Sequence, residues 1–411
     1  MPRKPRPTVS RSDADQPRST PVPYRIFGET PEPTALQQML NACRLPVAVA
    51  GALMPDAHQG YGLPIGGVLA TDQAVIPYAV GVDIACRMKM SVLDLPASAL
   101  TTAQADLRRA IEKETRFGVG AEFRDRRAHD VMDADWSVSE VTARLKDKAW
   151  AQLGTSGSGN HFVEFGQLTV RQRIGRLEPG DYLALLSHSG SRGTGAKVAD
   201  HFSRLARQAH PGLPPELAHL AWLDLSTHEG QEYWAAMELM GRYAAANHEL
   251  IHRHVVSAIG AGVVLDVENH HNFAWRERHV LADRSERDVV VHRKGATPAG
   301  VDVLGIIPGS MAAPGYVVRG KGEAASLRSA AHGAGRRMSR TQAKKEFSWD
   351  DLRRVLAERG VTLISAGLDE APMAYKNIDE VMAAQHDLVT VVAKFEPRLV
   401  KMAPAGERPE D

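Results

Sequence analysis

A mixed α+β architecture in one large domain is the fold class the sequence predicts, on three observations. Short β-rich runs and segments of helical period interleave without a regular βαβ repeat, which argues against a doubly wound sheet. No internal repeat or low-complexity linker divides the interior. At 411 residues and 43% hydrophobic content the chain can bury a large core. We read residues 24 to 403 as that domain. Residues 1 to 23, MPRKPRPTVSRSDADQPRSTPVP, are rich in Pro, Arg and Ser and read as a disordered basic tail, and residues 404 to 411 as a flexible C-terminal tail.

The elements follow in order. The runs Val47-Ala-Val-Ala, Gly81 to Met90 and Tyr182 to Leu186 have strand composition and end near turns that contain Gly, His or Asp, where chemistry usually sits. Apolar residues three or four apart predict helices over 98 to 114, 139 to 152, 349 to 359 and 377 to 385. The longest candidate, Gln231 to Ile259, would make a rod of about 40 Å at roughly 1.5 Å per residue. The prolines of HPGLPPELAHLAW before it mark a loop.

Charge and cysteine usage bound the setting. Fifty basic against 49 acidic residues exclude a general positive field, so a nucleic-acid partner would need a local basic patch. Two cysteines, Cys43 and Cys86, cannot form a disulfide framework, and no signal segment opens the chain, which points to the cytoplasm. No apolar run approaches the roughly 20 residues needed to cross a bilayer.

Glycine-rich turns carry the chemistry. Asp83 and Cys86 in GVDIACR could converge on a metal if the backbone bends, and a thiolate can bridge two ions. The loop Gly154 to Asn160 exposes successive N–H groups that suit phosphate oxygens and ends on His161 and Phe162. Ser187-His188-Ser-Gly-Ser-Arg192-Gly-Thr-Gly195 repeats that recipe, yet lacks the Lys-Ser/Thr ending of a P-loop. After the apolar run VVLDV come His270 and His271; in extended chain neighbouring side chains point to opposite faces, so only one should enter a given site. His292-Arg293-Lys294 offers cations to phosphates, and Ile307-Pro308-Gly309-Ser310-Met311 is a further turn with backbone donors. Finally, in SAAHGAGRRM, His332 stands among residues with almost no side chain, followed by Arg336, Arg337 and Arg340, as if to admit something large. Each motif alone also fits a surface loop. A rival reading comes from His248-Glu249-Leu-Ile-His252, which fits the HExxH zinc peptidase pattern, with Glu268 as a third ligand.

Taken together and in this order, MPDAHQGYGLPIGG, GVDIACR, GSGNHFVE, SHSGSRG, HHN, VHRKGAT, IPGSM, HGAGRRMSR and DEAPMAYK closely resemble the motif series of the RtcB family of RNA ligases, from about residue 45 to residue 401. The resemblance implies an RtcB-type fold with a metal-lined central cleft and a soluble, monomeric enzyme acting on RNA. It implies that His332 accepts GMP from GTP, its glycines making room for the α-phosphate. It implies two Mn²⁺ ions held by Asp83, Cys86, His161, His188 and His271, with Cys86 as the bridge. Nucleotide contacts carry over to Asn160, Phe162, Glu164, Asn272, Ser310, Met311, Gly333, Ala334, Gly335, Tyr375 and Lys401; Arg192, Arg293 and Lys294 are candidates for the RNA phosphates, mostly on their charge. The implied reaction joins RNA 3′-phosphate or 2′,3′-cyclic phosphate ends to 5′-hydroxyl ends, in RNA repair or tRNA splicing. Departures from the pattern are Arg87 after the cysteine, Ala312 to Gly315 after PGSM, and Pro298 after HRKGAT. They leave open a paralogue that acts as a metal-dependent RNA-end phosphoesterase, or that binds nucleotide or RNA ends without joining them.

Overall fold

A computed structural model describes residues 15–407. Its largest sheet has eight strands. In spatial order they are Leu304–Ile307, Gly315–Gly320, Val389–Met402, Phe162–Val170, Gly180–Ser189, Arg87–Pro96 and Val263–His270, with Thr362–Ser365 added in parallel to Val389–Met402. The long strands alternate direction, and one face of each contributes to a shared apolar filling that includes Met90, Leu168, Leu186, Val267, Val317 and Phe395.

The two ends of this sheet meet through a side chain. Asn269 Nδ2 donates to the Ile306 carbonyl at 3.3 Å, while its Oδ1 accepts from the Ile306 N–H at 2.8 Å. The amide thus supplies the donor and acceptor that a paired strand would have supplied, and the sheet is nearly closed. Antiparallel alternation brings the starts of Arg87–Pro96 and Phe162–Val170 to the same end as the finishes of Gly180–Ser189 and Val263–His270, with Phe162 and Met88 both in register with His188. That end is where the site lies.

A second sheet of five strands, Tyr24–Ile26, Ala48–His58, Ile65–Thr71, Glu286–Lys294 and Asn272–Val280, packs alongside. The chain crosses from one sheet to the other at His271. A short ladder, Ala296–Pro298 with Ser329–Ala331, delivers the backbone to His332, and Pro298 pairs within it with Ser329.

The helix His228–Ala258, capped by Thr227, buries Tyr233, Met237, Met240, Tyr243 and Leu250 against the core and is the long rod expected over 231 to 259. The helix expected over 139 to 152 spans Glu140–Gln152 behind a Ser139 capping box, and Trp349–Glu358 and Ile378–Ala383 fulfil two others. The helix expected over 98 to 114 is broken at Ala103 into Ala99–Thr102 and Gln104–Glu114. Four helices were not expected, the short Pro77–Val80 and Arg340–Glu346 and two longer ones. Pro33–Cys43 has few signals at its ends, and Arg192–Ala209 begins inside the SHSGSRGTG run, whose glycines read as loop although Val198, Phe202 and Ala206 form a buried stripe.

The basic tail also needs revision. Residues from 15 onward are tied down: Asp15 pairs with His210 at 2.6 Å, and the N–H groups of Arg18 and Val22 donate to the carbonyls of Arg44 and Cys43. The parts of the expected tails at 1–14 and 408–411 lie outside the described residues. Among the described residues no helix is long and apolar enough to cross a membrane.

Replacing Asn269 with Ala would strand the Ile306 groups. We expect a loss of about 2 kcal/mol in urea unfolding of the metal-free protein, within the usual cost of unmet buried hydrogen bonds.

Candidate active site

Asp56 and His332 come from different sheets and meet in the interior. Asp56, fully buried near the end of Ala48–His58, accepts on Oδ2 from His332 Nδ1 at 2.7 Å, from the His332 N–H at 3.2 Å and from the Gly333 N–H at 3.4 Å. A carboxylate only accepts, so Nδ1 carries the hydrogen and Nε2 of the neutral ring keeps its lone pair. The glycines also serve this contact. A Cβ on Gly335, at φ +74°, would sit 2.1 Å from the Asp56 carbonyl oxygen, so Gly335 makes room for the strand that holds Asp56; Gly333 faces only the Pro308 carbonyl at 3.3 Å. Across the ring, a Cβ on Gly295 at φ +60° would lie 3.1 Å from His332 Cε1.

Beside His332, five donors gather. Cys86 Sγ lies 3.4 Å from His161 Nε2 and 3.1 Å from His188 Nε2. His188 Nε2 lies 3.2 Å from His271 Nε2, Asp83 Oδ2 lies 3.1 Å from His161 Nε2, and the His271 ring is 4.8 Å from that of His332. His188 Nδ1 donates to the Asn160 carbonyl at 3.0 Å, which turns its Nε2 lone pair inward. Burial pushes the His188 imidazole down to about 3 and His271 well below its ordinary value, so both rings are neutral at pH 7. Facing lone pairs on two imidazoles and a sulfur, packed this closely, repel unless a cation lies among them. The Asp/Cys/His₃ donor set therefore fits a divalent metal, with Cys86, His161 and His188 as its tightest group.

Asp83 owes its place to SHSGSRG. The Ser191 N–H donates to Asp83 Oδ1 at 2.9 Å, leaving Oδ2 toward the cluster, and a Cβ on Gly190 would sit within 2.2 Å of both carboxylate oxygens. As strand alternation requires, His271 enters the site, and His270 stacks on Phe273 and Trp275 instead. Arg87 is no hindrance. It points to the opposite face, paired with Glu268 and donating to the Gly241 carbonyl.

One cavity collects most of the expected nucleotide contacts: Asn160, Phe162, Asn272, Ser310, Met311, Gly333, Ala334, Gly335 and Tyr375 line it together with the five donors and His332. Two of the expected contacts stand outside that lining. Lys401 is in register with Val163, so it lies on the far side of the sheet, its Nζ 3.1 Å from Thr115 Oγ1; Met402 is the residue that faces the cavity. Glu164 shares the face of Phe162 but does not line the cavity; burial raises its carboxyl well above the ordinary value. The cationic contacts are corrected too. Arg192 is buried against Thr155 Oγ1 and the Gly118 carbonyl, Arg293 against Glu277 and Ser329, and Lys294 against the Tyr61 carbonyl, so all three brace the protein's own chain.

The peptidase reading also falls. Both nitrogens of His248 and His252 are engaged by Ser187, Ser189 and Ser91, while Glu249 faces His129 and Arg253 at the surface. Three site residues had no role in the sequence reading: Asp56, His58 and Glu370. Glu370 lines the cavity and anchors Arg336, Arg340 and the Tyr375 hydroxyl, and His58 Nδ1 binds the Asp56 carbonyl at 3.0 Å. Their signal was their position inside MPDAHQG and DEAPMAYK.

The family model described as tRNA-splicing ligase RtcB matches residues 38–402. The chain belongs to the RtcB family. Among RtcB relatives, RNA-splicing ligase RtcB1 of Escherichia coli (strain ATCC 25922) is 36% identical over 91% of this chain and 95% of its own length. RNA-splicing ligase RtcB of Escherichia coli K12 is 35% identical over the same shares, and tRNA-splicing ligase RtcB of Thermococcus kodakarensis 30% over 92% and 94%. The RtcB match spans the eight-stranded sheet, the five-stranded sheet apart from its edge strand Tyr24–Ile26, and every residue of the cavity.

Two substitutions test the donor cluster. Cys86→Ala and Gly190→Ala should each lower bound divalent metal, read by elemental analysis after dialysis against Mn²⁺, the second by displacing Asp83 without removing any ligand.

Proposed function

We propose that this RtcB-family chain is an RNA ligase that uses GTP to join RNA 3′-phosphate or 2′,3′-cyclic phosphate ends to 5′-hydroxyl ends, in RNA repair or tRNA splicing. The observation that carries this reading is the Asp56–His332 pair, a nucleophile held by a buried carboxylate with its free nitrogen in a cavity beside a metal-binding donor cluster. Acting as nucleophile, His332 Nε2 attacks the α-phosphorus of GTP; the new P–N bond replaces the P–O bond to pyrophosphate, which departs. The ring becomes a cation in this step, and Asp56 stabilises it through Nδ1–H.

Asp83, Cys86, His161, His188 and His271 would hold two Mn²⁺ ions, which would offset the charge that builds on the phosphate. Asn160, Phe162, Asn272, Ser310, Met311, Tyr375 and the backbone of Gly333, Ala334 and Gly335 form the nucleotide's walls. Water opens a cyclic end to the 3′-phosphate, which takes GMP from His332. Attack by the 5′-hydroxyl then forms the phosphodiester and releases GMP. We place the enzyme in the cytoplasm as a monomer, in keeping with two cysteines that form no disulfide.

Incubation with α-labelled GTP and Mn²⁺ should label the wild type and not His332→Ala. Asp56→Asn, which keeps the shape but offers an amide in place of the carboxylate, should slow labelling by about a hundredfold or more. Absence of label on folded, metal-loaded wild type would overturn the nucleotidyl-transfer reading.

A further inference from the structure

On the far side of Ser310 and Tyr375 from His332 lies a second groove that shares those two residues with the cavity. Its floor is apolar, formed by Pro314, Val355, Val361, Pro372, Met373 and Pro397. Around it stand Arg337, Arg359, Lys376, Lys394 and Arg398 against two acids, Asp379 and Glu396.

Those charges are unequally committed. Glu396 is already met by Lys394 at 3.1 Å and Arg398 at 3.2 Å, and Asp379 accepts from the Tyr316 hydroxyl. Lys376 turns inward, its Nζ donating to the carbonyls of Pro55 and Ala57 at 3.2 and 2.7 Å. Arg337 is exposed, tethered through Nε to the Met373 carbonyl at 2.6 Å, and Arg359 is exposed with no ion-pair partner among the described residues. The groove thus presents uncommitted positive charge above an apolar floor, in a protein whose overall charge is almost balanced. Local positive charge of this kind is what the phosphates of a strand require, and an apolar floor suits bases without selecting their sequence.

We propose that this groove binds a single-stranded segment of the RNA, a few nucleotides back from the end being joined, with Arg337 and Arg359 on its phosphates. The inference rests on the RNA ligase reading of the adjoining cavity. It is separate from the chemistry at His332, because neither arginine touches the cavity's donors.

The test is Arg337→Gln with Arg359→Gln, both on exposed side chains, in the full-length Mn²⁺-loaded protein. Labelling with α-labelled GTP alone should match the wild type. Binding of RNA with an unpaired tail should weaken, with a slope of log affinity against log salt smaller by roughly 1.4, at 0.7 per lost phosphate contact. Lengthening the tail on the phosphate-bearing strand or on the hydroxyl-bearing strand tells which one occupies the groove: the double variant should lose the benefit of length on that strand only. Unchanged RNA affinity and salt slope, with labelling intact, would overturn the groove and leave the ligase reading standing. Loss of binding to a polyglutamate peptide without loss of RNA binding would also overturn it, by making the groove a site for acidic protein. If the wild type takes no label, the ligase reading fails, and the salt slope still decides whether RNA lies in the groove.

Discussion

A carboxylate sealed from solvent, Asp56, fixes His332, and the surrounding structure is arranged around that contact. A charge so deeply buried is costly unless donors meet it, and here three do, two from the backbone of residues 332 and 333 and one from the imidazole. The demand is geometric as well as electrostatic. Gly335 must lack a Cβ for the strand of Asp56 to approach, Gly295 must lack one beside the ring, and Lys376 holds the carbonyls on both sides of Asp56. The run of small residues around His332 is therefore explained first by the packing of protein against protein.

The donor cluster depends on a different constraint, the direction of strands. In an antiparallel sheet, residues just before one strand and at the close of the next fall at the same end. Cys86, His161, His188 and His271 occupy such positions on four adjacent strands, so far-apart sequence positions meet without any long loop. Asn269 keeps the two end strands of the sheet, Leu304–Ile307 and Val263–His270, from spreading, and it lies two residues before His271. Sheet closure and the placement of a donor are thus supplied by one short segment.

Where sequence reasoning failed, the failures share a cause. Lys401 was assigned to the nucleotide although strand alternation gives that face to Met402; its register with Val163 depends on a bulge between Pro397 and Leu399 that no periodicity reveals. Arg192, Arg293 and Lys294 looked like phosphate ligands because a cation beside glycine and threonine resembles one. In the fold they are buried and satisfy carbonyls, a serine, a threonine and Glu277. The HExxH pair was misleading in the same way: helical spacing does put both histidines on one face, but serines from neighbouring strands occupy their nitrogens.

By itself the sequence determined the α+β class, four of the helices and the helical character of a fifth segment, the family and the five donors with His332, because these rest on local period or on short motifs whose order is specific. Only the tertiary structure decided which carboxylate holds His332, which face each strand residue takes and which cations remain available. Those outcomes depend on register between segments up to 276 residues apart, as Asp56 and His332 are, and register is set by packing across the whole sheet.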